Sequence, residues 1–109
     1  MGSPYYDLQN ANRIFGNEKD LFRFVKDLLN QNFKIYEVKQ TSGDIVPYHT
    51  HSHKEVIIIL EGRVRMIIEE EMIDLQKGDI LTINPWSIHL ACFPFVDEPA
   101  HFYLCFPKK

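Results

Sequence analysis

The sequence predicts an all-β chain, an antiparallel sandwich or barrel preceded by one short α-helix. Three observations carry this expectation. Apolar residues recur at helical spacing only as far as about Asn32. Beyond it they fall into short β-branched or alternating runs. Those runs are separated by Gly, Pro, Asn and Asp, the punctuation of an antiparallel sandwich or barrel and not of alternating βα units. The change divides the chain into an N-terminal segment, residues 1–32, and a barrel, residues 33–109.

The helix is expected over about residues 18–30. Leu21, Phe24, Val25, Leu28 and Leu29 recur at three- and four-residue steps and so share a face. Asn17 suits the N-cap, and Glu18 and Asp20 suit the positive end of the helix dipole. The expected role is a lid packed on a sheet. From Phe33 the strands follow. FKIYEVKQ alternates, EVIIIL is β-branched, and VRMIIEE comes after a turn at Glu61-Gly62. MIDL precedes a second turn at Lys77-Gly78-Asp79, and DILTI, HLACF and HFYLCF complete the set. With the histidine-bearing stretch before Glu55, roughly eight short strands are expected.

Composition excludes several classes of function. A chain of 109 residues holds one domain with one real core. No unbroken apolar run is longer than Val56–Leu60, which is far short of the ~20 residues of a membrane span. The first residues, MGSPYYDLQN, lack the basic and apolar regions of a signal peptide. Net charge is −3, and no Lys/Arg cluster provides a footprint for a nucleic acid. No membrane and no direct nucleic-acid partner is expected. Two cysteines, Cys92 and Cys105, are too few for a disulfide scaffold, so reduced thiols and a cytoplasmic location are expected.

Chemistry concentrates at His49-Thr50-His51-Ser52-His53, followed by Glu55. His49 and His51 are two apart, so on a strand both would point to one face. Imidazole and carboxylate are usual ligands for first-row transition metals, while a lone strand histidine is more often a satisfied core residue. The flanking glycines sharpen the motif. GDIVPYHTHSHKEVIIILEG, from Gly43 to Gly62, reads G-x5-H-x-H-x3-E-x6-G. This resembles the first signature of the cupin family. A second family signature, G-x5-P-x-G-x2-H-x3-N, is similar to GDILTINPWSIHLACF. Gly78 and His89 match it. Asn84 stands in place of proline, Trp86 in place of glycine and Phe93 in place of asparagine.

The resemblance covers about residues 33–107. It implies a double-stranded β-helix, or jelly roll, with His49, His51, Glu55 and His89 as ligands of one divalent transition metal ion. Fe, Mn, Ni, Co, Cu and Zn all accept this donor set, and the sequence does not choose among them. The alternative register, His51-x-His53, leaves one residue before Glu55, so His53 is read as exposed or as supporting a ligand. His101 needs no function.

Strand parity sets the expected pocket wall. Ile57 and Ile59 share the parity of Glu55, and Ala91 and Phe93 that of His89. Trp86, in the turn before His89, caps the mouth or meets a partner. Phe102, Leu104 and Phe106 are preferred over the alternate set of the last strand as inward residues, while Cys105 is the better candidate of the two thiols for a place near the pocket. The expected ligand is a small molecule with one chelating end and an apolar remainder.

Three functions compete, of which an interaction or storage protein with a vestigial site is opposed by the intact ligand set. Of the remaining two, one is a metal-dependent enzyme, such as a dioxygenase or isomerase, acting on a small chelating metabolite. The other is a non-catalytic ligand sensor, since GDILTINPWSIH and FYLCF also resemble the sensor domains of arabinose-type transcription regulators. The exposed edges of so small a barrel point to a homodimer.

Overall fold

The computed structural model describes residues 3–10, 18–40, 43–95 and 98–108. Its elements are β1 (Tyr6–Asn10), α1 (Glu18–Asn30), β2 (Phe33–Gln40), β3 (Ile45–His49), β4 (Glu55–Glu61), β5 (Arg63–Ile68), β6 (Glu71–Gln76), β7 (Asp79–Ile83), β8 (His89–Cys92) and β9 (Ala100–Pro107). The strands form two antiparallel sheets. One has five strands in the order β1-β7-β4-β9-β2, the other four in the order β3-β8-β5-β6. The sheets face each other across the main core, as expected of a jelly roll.

Two apolar clusters hold three layers together. Between the sheets lie Ile57, Ile59, Val64, Met66, Leu81 and Phe102, with others. On the opposite face of the five-stranded sheet, Leu28 of the helix packs with Phe33, Val56, Ile58, Ile80 and Cys105. β4 is therefore covered on both sides, and its five residues Glu55 to Ile59 are all buried. This explains why EVIIIL is continuously apolar after its glutamate: neither face meets water. Full burial of one such isoleucine contributes roughly 1.5–3 kcal/mol.

The helix covers the range expected, with one correction to its face. Phe24, Val25 and Leu28 pack on the sheet, but Leu29 is 54% exposed. The helix meets the sheet along a stripe narrower than the run of leucines. Asn17 lies outside the described residues. Asn32 closes the helix in the left-handed conformation (φ 66°), donating its N–H to the Leu29 carbonyl.

β1 adds a strand from before the helix, where none was expected. Tyr6 to Asn10 pair with Ile83 to Asp79 of β7, although Asp7, Leu8 and Gln9 are exposed. The ladder, not an apolar face, places this strand. The two residues before it also reach the loop after β7. Tyr5 accepts from the Asn84 N–H and the Ser87 hydroxyl, and Pro4 accepts from the Asn84 side chain. Gly62 joins β4 to β5 with φ 74°, and a Cβ there would lie 2.3 Å from the Pro99 carbonyl oxygen. No helix among the described residues is long and apolar enough to cross a membrane.

Candidate metal centre

Four side chains from three strands and one bend converge at one end of the space between the sheets. His49 is the last residue of β3, Glu55 the first of β4 and His89 the first of β8. In the ladder His49 pairs with His89. His51 belongs to no strand, which corrects the expectation that a continuous strand carries both histidines of the pair. β3 ends at His49, and its register is irregular between Val46 and His49, around Pro47. Proline has no N–H to give a ladder, so pairing breaks where it stands. His51 is held instead from the facing loop, where the Trp86 N–H donates to its carbonyl at 2.8 Å.

One ligand atom from each of His49, His51, Glu55 and His89 lies within 4.8 Å of the other three. A metal bonded at ~2.1 Å sets opposite ligands ~4.2 Å apart, so the cluster needs to contract only by tenths of an ångström. The rings of His49 and His89 are 4.2 Å apart at their centroids, and those of His51 and His89 are 5.0 Å apart. Glu55 Oε1 is 3.3 Å from His51 Nε2 and 3.2 Å from His89 Nε2. Even so, Glu55 Oε1, His89 Nε2 and both ring nitrogens of His51 are buried without a well-formed hydrogen bond.

The ring orientations are set from behind. His49 Nδ1 and His89 Nδ1 each lie 2.8 Å from a backbone carbonyl, of Pro47 and Ser87 respectively. A carbonyl only accepts, so each Nδ1 carries the proton and each Nε2 presents its lone pair inward. Burial pushes the pKa of His51 below its ordinary value; Glu55 opposes this, and the other three imidazoles of the loop and site reinforce it. For His89, burial also opposes protonation, but the Glu55 carboxylate and the Ser87 carbonyl outweigh it and hold the pKa above its ordinary value. Neutral imidazoles, one buried carboxylate and unpartnered donor atoms aimed at one another fit a divalent transition metal. Among the described residues no other cluster of this kind occurs.

Beside the cluster a cavity of about 210 Å³ runs between the sheets. Ile57, Ala91 and Phe93 line it, as do Phe102, Leu104 and Phe106 of β9. Two expected wall residues stand elsewhere. Ile59 is fully buried in the core between the sheets and does not line the cavity. Trp86 is 66% exposed, its turn carrying the side chain outward. Cys105 is also displaced from expectation, because its parity turns it to the helix side of the sheet. Sequence reasoning missed Val38 and Gln40 of β2, Val46 of β3, and Val64 and Met66 of β5, which complete the wall. The alternation of FKIYEVKQ marks two faces of β2 without saying which one faces inward. His53 stands just outside, its ring 4.8 Å from that of His51 and 5.2 Å from Phe106.

The domain family described as cupin matches residues 36–106. The chain belongs to the cupin family. Solved structures agree on the fold. A cupin 2 domain-containing protein from Halorhodospira halophila superposes with a TM-score of 0.68 over 95% of this chain and 63% of its own, at 13% identity. A cupin 2 barrel protein from Salinispora arenicola gives 0.64 over 72% and 66%, at 23% identity. The DMSP lyase DddQ from Ruegeria pomeroyi gives 0.63 over 72% and 40%, at 21% identity. By sequence, this cupin is 33% identical over 66 residues to the uncharacterised helix-turn-helix transcriptional regulator YdeC of Bacillus subtilis. That stretch is 61% of this chain, and the chain spans one-fifth of the regulator's length.

Proposed function

We propose that this cupin binds one divalent transition metal through His49, His51, Glu55 and His89 and presents it to a small molecule held in the adjoining cavity. The observation that carries the reading is the convergence of four donor side chains, three of which, His51, Glu55 and His89, bring buried inward atoms that have no hydrogen-bond partner. When bound, such a metal supplies a Lewis-acidic centre for chelating oxygens. The protein's part is to hold two imidazoles in one tautomer through the Pro47 and Ser87 carbonyls, and to keep water from the apolar wall. Metal analysis of protein purified without chelator or nickel resin tests the reading. About one equivalent is expected, and the double change His49→Ala with His51→Ala should abolish it while the fold survives. Retention of full metal by that variant sinks the assignment.

The similarity to a transcriptional regulator supports a second reading, in which the cupin senses its ligand without turning it over. Iron-loaded protein offered a panel of small chelating metabolites separates the two. Oxygen consumption or product formation lost in His89→Ala supports an enzyme. A melting temperature that rises with ligand concentration, with no turnover under any metal, supports a sensor. In either case we expect a homodimer. β1, β2, β3 and β6 are sheet edges, and β3 exposes Ile45, Val46 and Tyr48 along its length. Light scattering at micromolar concentration checks this.

A further inference from the structure

The cavity beside the metal cluster is unusual in its charge. Among the described residues its polar side chains are Gln40, His49, Glu55 and His89, and no Lys or Arg lines it. On the metal reading proposed above, two positive charges meet one carboxylate and neutral imidazoles, leaving a single positive charge to be matched. One anionic ligand group balances it. A second, as in a phosphate monoester or dicarboxylate, would be buried unpaired at high cost.

Size and shape narrow the class further. A 150 Å³ apolar cavity stays dry and accepts benzene. The present cavity of about 210 Å³ is large enough for a ring body and one small substituent, about eight non-hydrogen atoms by proportion, with the chelating head at the metal cluster beside it. The polar groups sit towards opposite ends. Val56, next to Glu55, pairs with Cys105 of β9, whereas Gln40 pairs with Ala100. Between these ends stand Ile57, Met66, Phe93 and Leu104. Gln40 itself is steadied by donating its Nε2–H to Asp44 at 3.2 Å, which leaves its carbonyl oxygen to accept.

We infer that the cavity selects a monoanionic chelator with a neutral, ring-sized apolar body, and that Gln40 is a specificity-determining residue reading a hydrogen-bond donor at the end of the body far from the metal. The inference rests on the metal reading for the head group and on the cavity alone for the body.

The test uses hydroxamates of constant chelating head. Cobalt-loaded protein is titrated with acetohydroxamate, benzohydroxamate, 4-hydroxybenzohydroxamate and 4-carboxybenzohydroxamate. Binding is followed by cobalt absorption and by the methionine methyl resonances, where Met66 lies in the wall and exposed Met72 serves as control. Benzohydroxamate is expected to bind at least tenfold tighter than acetohydroxamate and tenfold tighter than the 4-carboxy compound, shifting Met66 and not Met72. The 4-hydroxy compound should gain a further several-fold, lost in Gln40→Leu. Separately, chelator-treated protein is titrated with phenol and benzoate, and only phenol should shift Met66. Equal binding of the carboxylated probes, or an unmoved Met66, overturns the inference. If cobalt does not bind, the metal reading falls, and the phenol and benzoate titration alone decides for or against the neutral body.

Discussion

Trp86 donates its backbone N–H to the carbonyl of His51 across 2.8 Å, and it does so from a left-handed conformation with φ 66°. A bulky residue pays steric cost there that glycine does not. The hydrogen bond fixes the one ligand-bearing segment that no strand holds. The indole, the only one in the chain, points to solvent.

Replacing Trp86 with glycine keeps the N–H and relieves the strain. Stability is expected to rise by up to about 1 kcal/mol, a gain of roughly 4–8 °C in Tm, with metal content unchanged. Calorimetry of the metal-free pair checks it, and a lowered Tm would show that the indole itself stabilises the turn.

Protons compete with the metal in a definite order. In metal-free protein His89, with its pKa held above ~6.5, protonates first as pH falls, and His51, with its pKa lowered, protonates later. The stability that charged His89 gives the metal-free fold is fully present below ~6.5 and is lost as pH rises through its folded value. Metal binding has the opposite sign and weakens as pH falls, beginning above ~6.5 where His89 takes its proton. Imidazole proton resonances of the metal-free protein should show His89 titrating above His51. In Glu55→Gln the His89 midpoint should move down, since its acidic neighbour is gone. An unmoved midpoint would remove Glu55 as the cause.

Gly62 admits no side chain. Its φ of 74° disfavours one, and the Cβ of alanine would stand 2.3 Å from the Pro99 oxygen, which belongs to the backbone and has no rotamer to adopt. Gly62→Ala should cost about 3 kcal/mol or more, read as a fall in the urea midpoint. A loss below about 1 kcal/mol would mean that the Pro99 segment shifts freely.

The two thiols should behave differently. Burial, with a smaller contribution from the Glu55 carboxylate, pushes Cys105 up to about 12, whereas Cys92 is partly exposed. Native protein at pH 8 should take up one equivalent of a thiol reagent at Cys92, and a second only on unfolding. Because the folded value is raised, the stability tied to the neutral Cys105 thiol is present below the ordinary thiol pKa, near 8.5, and declines as pH rises towards 12. Cys105→Ser should behave like the parent in native labelling; additional uptake by the parent would show that the helix opens.

Much of the fold was legible because glycines and β-branched runs mark strand ends locally. The spacing from His49 to Glu55, and the place of His89 after Gly78, also expose a metal motif without knowledge of pairing. What escaped depends on partners distant in sequence. Tyr6 to Asn10 carry no apolar alternation, and only β7 makes them a strand. His51 left the strand because pairing is broken around Pro47, a break that a two-residue period does not register. Cys105 and Leu29 show the same limit from the other side: a periodic pattern gives faces, and only packing decides which of them is covered, and by how much.

The hold of Pro4 and Tyr5 on Asn84 and Ser87 has a bearing on how the molecule comes into being. Pro4 and Tyr5 leave the ribosome well before their partners, which are made some eighty residues later. Such a contact raises contact order and closes late. During synthesis the leading segment must wait unpaired while the central hairpins form. The loop that carries Trp86 and leads into His89 is tied down only when that segment returns. The proposed metal site is thus expected to mature in the last stage of folding, after the sheets have collapsed. An early collapsed species would have its barrel assembled and its metal affinity still undeveloped.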